Sequence, residues 1–259
     1  MMELTRRATL ATSAAVATVS IRPTHAATGK TYVLVHGAWH GGWCWREVAA
    51  KLRQAGHAVF TPTLAGMGER AHLMSPAVNL STHAADIVNV IEWEELTDVI
   101  LVGHSYSCHV ISLVADRLKP RLRHLVFLDG TPAREAQAFI PAAAAAERRK
   151  TAREGYLLDP PPVTNLGIPD GHPQAAWVKR RMTAHTLNGV TEIVRFQNGG
   201  HAGVAKTFIR CTAGRAGQPD PVADMIKADP EWAWRTIDTG HDAMITAPDE
   251  LSAMLLAIT

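Results

Sequence analysis

The sequence predicts one large α/β domain, a mainly parallel sheet with helices on both faces, and three observations carry that prediction. Short β-rich runs alternate with helix-period segments from Lys30 onward, the pattern of strand–helix–strand units. The 259 residues suit one domain of this class, which often runs past roughly 200 residues without dividing. An apolar fraction of 47% with 19% charged residues is the balance of a soluble globular chain with side chains enough for a sizeable core.

The elements follow in order. "TYVLVHG" is a strand ending at a glycine, and Trp43 to Gln54 has helical spacing and stops at Gly56. "HAVFTP" is a second strand, ended by Pro62. Thr82 to Trp93 reads as a helix, "DVILVG" as a strand, "HVISLVADRL" as a helix and "LVFLDG" as a strand. After a long irregular region come the strand "TFIRCT", a helix near Val222–Lys227, the strand "WAWRTID" and a final helix from Pro248. No internal repeat is present. The interval from Thr131 to about Ala205 breaks the rhythm, with a helix in "PAAAAAERRK", a proline-rich loop "DPPPVTNLGIPDGHP" and a helix in "AAWVKRRM". Such an insertion predicts a cap, about 131–205, over the carboxyl ends of the strands, where open α/β sheets bind ligands. Residues 27–259 then form one domain that includes it.

Residues 1–26 read separately from the fold. Arg6 and Arg7 precede a mildly apolar, alanine-rich stretch from Ala8 to Ile21, and Thr24-His25-Ala26 offers small residues for cleavage. This layout predicts an export signal of twin-arginine type, a route for folded proteins, and a periplasmic or secreted chain. Arg6, Arg7 and Arg22 against Glu3 account for the whole formal charge of +2, so the remainder is neutral. Without a basic run there is no electrostatic footprint for nucleic acid. No apolar run reaches the roughly 18 residues of a membrane span, so no insertion is expected after signal removal. Cys44, Cys108 and Cys211 are too few for a disulfide framework and too scattered for a zinc site.

The chemistry concentrates in three segments. In "VILVGHSYSCHV", Ser105 stands between a buried strand and a helix, the context of a nucleophile elbow. The sharp turn exposes the hydroxyl, and the helix N-terminus favours developing negative charge. Gly103 keeps the first elbow glycine, whereas Ser107 replaces the second with the next tolerable size, which predicts a slightly strained but working turn. "HGAWHGGWCW" follows the first strand, and its Gly37 permits a close backbone approach. Trp43 and Trp45 are expected in the core of the first helix. In "RTIDTGHDAM", His241 lies past the last strand, 136 residues after Ser105. Among 13 histidines its rival is His201, which falls inside the cap.

From Thr31 to Thr259 the chain resembles the α/β-hydrolase superfamily, and within it the branch of plant methylesterases, hydroxynitrile lyases and related bacterial esterases. "VLVHGAWHGGWCW", "GHSY" and "TGHDAM" carry the likeness, the first being specific to the branch. The resemblance implies an α/β-hydrolase fold with a cap between the sixth and seventh strands. It implies hydrolysis of a small-molecule ester through an acyl-enzyme and a Ser-His-Asp triad, without metal or cofactor. Ala38 and Tyr106 would supply the oxyanion-hole N–H groups, with Trp39 against the substrate. A monomer or homodimer is expected.

Two other readings share the scaffold. Hydroxynitrile lyases of this branch have threonine where Gly37 stands and lysine where Asp242 stands, and an aspartate there would repel departing cyanide. A ligand-binding protein is the other, against which stands the complete set of catalytic residue types. For the acid, the branch's esterases use an aspartate after the strand that here reads "TFIRCT", but Gly214 and its neighbours in "CTAGRAG" are not acidic. The next acid, Asp220, precedes Pro221 as a helix cap would. The superfamily's other acid site is the end of the preceding strand, here Asp129. Asp129 is therefore the expected partner of His241, on a strand placed two positions from the nucleophile strand, with Asp220 as the alternative.

Overall fold

The computed structural model describes residues 29–214 and 220–259. The export-signal expectation for residues 1–26 lies outside them. Strand β1 (Thr31–Val35) leads through a 3-10 turn at Gly42–Trp45 into α1 (Arg46–Gln54), and β2 (Ala58–Phe60) follows. Gly56, at φ +86°, makes the left-handed turn between them. Then come α2 (Leu80–Trp93), β3 (Val99–His104), α3 (Ser107–Leu118) and β4 (Leu122–Leu128). Asn79 starts α2 by accepting from Thr82 N, and the Thr82 hydroxyl accepts in return from Asn79 N.

The insertion after β4 contains α4 (Ala142–Thr151), a two-stranded antiparallel pair β5 (Leu157–Leu158) and β6 (His185–Thr186), α5 (Ala175–Arg181) and α6 (Leu187–Thr191). The chain returns to the main sheet with β7 (Lys206–Cys211), α7 (Pro221–Ala228), β8 (Trp232–Ile237), α8 (Ala243–Thr246) and α9 (Pro248–Leu256). The resemblance numbered the strands flanking the insertion sixth and seventh. In this six-stranded sheet they are the fourth and fifth in chain order, no sheet strand preceding Thr31 among the described residues.

The sheet order is β2-β1-β3-β4-β7-β8 with every pairing parallel. The nucleophile strand β3 and the Asp129 strand β4 are direct neighbours, not two places apart as the sequence suggested. Successive strand residues face opposite sides, and here both sides are covered. Val33, Val35 and Leu101 pack with Ile87 and Ile91 of α2 and Val110 and Val114 of α3. Tyr32, Leu34, Ile100 and Val102 pack with Val48 and Leu52 of α1 and Leu251 and Leu255 of α9. Trp45 is buried in the second cluster as expected, but Trp43 is only half-buried against it.

From β1 the chain moves to β2 on one side and then to β3 on the other. The carboxyl ends of β1 and β3 therefore flank a topological switch point, where such sheets open a crevice. Gly37 and Ser105 stand just past those two ends. Among the described residues no helix is long and apolar enough to cross a membrane. All three cysteines are buried.

Candidate active site

Register places the site residues on one row. His104 pairs with Leu128 across β3 and β4, so Ser105 and Asp129 are both the first residue beyond the sheet at the same edge. Both are left-handed, Ser105 at φ 53° and Asp129 at φ 46°. Non-glycine residues rarely hold that conformation, which here turns each side chain out of the strand line. Ser105 N donates to Leu128 O at 2.9 Å, and Asp129 N to Ile209 O at 2.9 Å. Gly130 keeps the two edges close, since a Cβ on it would lie 2.2 Å from Ser105 O. The substitution at Ser107 has a specific use: it is fully buried and its hydroxyl donates to His36 O, tying the elbow to the end of β1.

His241 donates from Nδ1 to Asp129 Oδ2 at 2.6 Å, which leaves Nε2 as the basic nitrogen. Asp129 Oδ1 accepts from Arg210 Nη1 at 3.1 Å and from Cys211 N at 3.2 Å. Asp220, the other candidate acid, caps α7 by accepting from Ala223 N at 3.0 Å and pairs with the far side of the Arg210 guanidinium. His201 instead packs on Phe127 and Trp232, each with ring centroids 5.6 Å away.

The loop after β1 is held by two histidines. His36 donates from Nδ1 to Gly37 O at 2.8 Å and accepts at Nε2 from Leu64 N at 3.0 Å, so it is a neutral ring. Burial lowers its pKa to about 3. Because a trans peptide directs C=O and N–H oppositely, fixing Gly37 O also aims the Ala38 N–H. His40 donates from Nδ1 to Ala38 O at 2.7 Å, and its Nε2 meets Asp242 Oδ2 at 3.0 Å. Tyr106 opens α3, where the first N–H groups have no intrahelical partner. Its buried ring is fixed by an O–H bond to His83 Nδ1 at 2.8 Å, while His83 donates from Nε2 to Ala65 O at 3.0 Å. Trp39 is half-buried at φ 64° and donates from its indole to Leu158 O of β5 at 3.0 Å.

His104 completes the cluster. Its Nε2 donates to His241 O at 3.0 Å, its ring lies 4.6 Å from that of His241, and burial followed by the neighbouring His241 lowers its pKa to about 3. His104, His241 and Asp242 present three metal-capable atoms within 4.8 Å of one another. The His104 nitrogen nearest Asp242 already donates to a carbonyl, which makes the group a hydrogen-bonded cluster rather than an open cage. Asp242 is fully buried and turned into His40. The position thus holds an aspartate paired with His40 where the lyases have a lysine.

Beside the elbow, one helical turn along α3, lies a cavity of about 730 Å³ lined by His109, Thr131, Phe139, Ile140, Arg149 and Ile193. Phe139 also meets the Tyr106 ring, centroids 5.5 Å apart.

A parallel sheet with a strained serine at its switch point and a histidine–aspartate pair beside it defines the α/β-hydrolase class. The sequence pattern of the alpha/beta hydrolase family matches residues 32–254, and the chain belongs to that family. Among characterised proteins it is 38% identical to a carbendazim hydrolyzing esterase of Nocardioides sp. (strain SG-4G), over 88% of this chain and 98% of that one. It is 28% identical to methylesterase 10 of Arabidopsis thaliana, over 88% and 90%. These relatives make the chain an enzyme of the esterase class. In fold it is similar to an extracellular alpha/beta-hydrolase from a Paenibacillus species, with a TM-score of 0.75 at 22% identity over 88% of this chain and 98% of that one. Tomato methylketone synthase I, as its H243A variant, gives 0.72 at 22% identity over 88% and 97%.

Proposed function

We propose that the protein is a serine carboxylesterase that cleaves small-molecule esters through an acyl-enzyme, without metal or cofactor. The observation that carries this reading is the 2.6 Å bond from His241 Nδ1 to the buried Asp129, at the sheet edge that also bears Ser105. In this reading Ser105 Oγ attacks the ester carbonyl and His241 Nε2 takes its proton. Asp129 holds the ring and stabilises the imidazolium that forms. The N–H groups of Ala38 and Tyr106 receive the oxyanion, and His241 returns the proton to the departing alcohol. Water then attacks the acyl group with His241 again as base. Trp39 and the cap bound the substrate, and the apolar cavity along α3 suits a hydrophobic substituent.

The relative named for carbendazim hydrolysis makes that compound a first substrate to assay beside simple aryl and methyl esters. The paired Arg6 and Arg7 before an alanine-rich stretch support export to the periplasm or beyond. The test is chemical. Phenylmethylsulfonyl fluoride should label the peptide containing Ser105 stoichiometrically, and Ser105→Ala should lower turnover by roughly 10⁶ while leaving the fold intact. Labelling at another residue, or an active alanine variant, would remove the assignment.

A further inference from the structure

We propose that His40 and Asp242 form a buried ion pair that positions the oxyanion loop against the histidine loop, making both of them positioning residues for the esterase reaction. Neither has a place in the triad. Both are buried, His40 at 1% exposure and Asp242 at 0%, and they come from loops 202 residues apart in the chain.

A carbonyl only accepts, so the 2.7 Å contact with Ala38 O requires a proton on His40 Nδ1. The 3.0 Å contact of Nε2 with Asp242 Oδ2 requires a second proton between them. Burial pushes the Asp242 carboxyl up, but the charge and hydrogen bond of His40 outweigh it and hold the group below its ordinary value. For His40, burial lowers the pKa, yet Asp242 and Ala38 O raise it beyond ordinary. Both directions favour the proton on the ring and the charge on the carboxylate, the form the proposed pair takes. Facing the His40 ring as well are His104, 6.5 Å away edge-on, Trp43, stacked at 5.2 Å, and the neutral His36, whose pKa it helps to lower.

The consequence is geometric. His36 fixes the peptide that carries the Ala38 N–H, and His40 fixes the next peptide through Ala38 O. Asp242 directly follows His241, so its carboxylate couples that anchored peptide to the backbone of the catalytic base. Two consecutive peptide units are thus pinned by two buried histidines of opposite charge state. Removing one partner of a buried pair strands the other and releases the loop.

The test uses the whole chain and rests on the esterase reading. His40→Gln, Asp242→Asn and the double variant are assayed on p-nitrophenyl acetate. Reactive serines are counted by organophosphate titration, so that kcat is expressed per competent site. Each variant should lose about 10² in kcat per site, the scale of a 1 Å misplacement, with KM changed far less. The double variant should be no worse than either single, because the pair acts as one unit. A purely structural role would lower the number of titratable sites and leave kcat per site unchanged, and additive losses would also overturn the proposal. Nitrogen NMR of histidine-labelled wild type at pH 8 should show one imidazole protonated at both nitrogens that disappears in Asp242→Asn. A neutral His40 in that spectrum would refute the pair. If the wild type neither turns over the ester nor takes label at Ser105, the esterase reading fails, while the spectrum still decides the ion pair.

Discussion

Asp129 meets His241 through one carboxylate oxygen and Arg210 through the other, so a single buried side chain joins the histidine loop to β7. Arg210 in turn reaches Asp220, which places both candidate acids on one guanidinium but only Asp129 on the imidazole. Asp129→Asn is therefore expected to lower kcat by roughly 10⁴ in a folded protein. Asp220→Ala should keep most activity and cost about 1 kcal/mol of stability as a lost helix cap. Steady-state kinetics with thermal melts of both variants decide this, and the reverse pattern would move the acid to Asp220.

Gly37 has no room for a side chain. A Cβ there would lie 2.8 Å from His104 Nδ1 and 3.1 Å from Ser105 Cβ. Gly37→Thr, which copies the lyases, should displace the elbow and lower esterase kcat by about 10² or more. Retained hydrolysis, or new cleavage of a cyanohydrin, would contradict this account of the position.

The cap meets the histidine loop at glycine on glycine. Gly167, at φ +75°, packs so closely that a Cβ on it would lie 2.5 Å from Gly240 Cα, and Asp242 N donates to Leu166 O at 3.0 Å. Gly167→Ala should lower kcat on small acetate esters as much as on bulky ones. Changes elsewhere between Tyr156 and Pro173 should instead reorder substrates. A small-ester rate untouched by Gly167→Ala would make this crossing a specificity feature only.

Acid should destabilise the fold before it protonates the carboxylates. Burial lowers the pKa of His36 and His104 to about 3 and of His83 and His109 to about 4. Above their ordinary 6.5 the rings are neutral in both folded and unfolded chains. Below it the unfolded chain binds protons that the folded one refuses, so stability falls between about pH 6.5 and 4. The limit is about 1.4 kcal/mol per ring for each pH unit. His40, with a raised pKa, works the other way, contributing at low pH and losing its contribution as pH rises. Urea melts at pH 7.5, 6.5 and 5.5 should show midpoints falling with pH, and a flat series would mean the rings are not held neutral.

Chelation should leave turnover unchanged, since the proposed reaction uses only side chains and backbone. Loss of activity in EDTA and its return with zinc would replace the serine mechanism by a metal one.

The strand and helix order was readable because the main-sheet strands are apolar and separated by long helical periods. Ser105 and Asp129 stood out because each directly follows a strand, where parallel register brings residues distant in sequence to one edge, and His241 because it lies in the loop after the last strand. The cap was harder to read: β5 and β6 have two residues each, too few to display a period. The partner of Asp242 was invisible for another reason. Nothing local links it to His40, although a second histidine four residues after His36 in a glycine-rich loop was a signal that could have been pursued. The bond from Ser107 to His36 O likewise depends on β1 and β3 being neighbours.

Trp39 is fastened to the cap twice, through its indole to Leu158 O at 3.0 Å and through its own carbonyl, which accepts from Thr183 N at 2.9 Å. A cap swung wide enough to admit a large molecule would pull on the residue next to Ala38. Admission of a bulky substrate and turnover would then compete, because opening would displace the loop that carries the Ala38 N–H. Warming should favour entry and penalise the chemical step, so that for bulky substrates the Arrhenius plot is expected to bend downward below the melting temperature. An enzyme with a freely hinged lid would give a straight line up to unfolding.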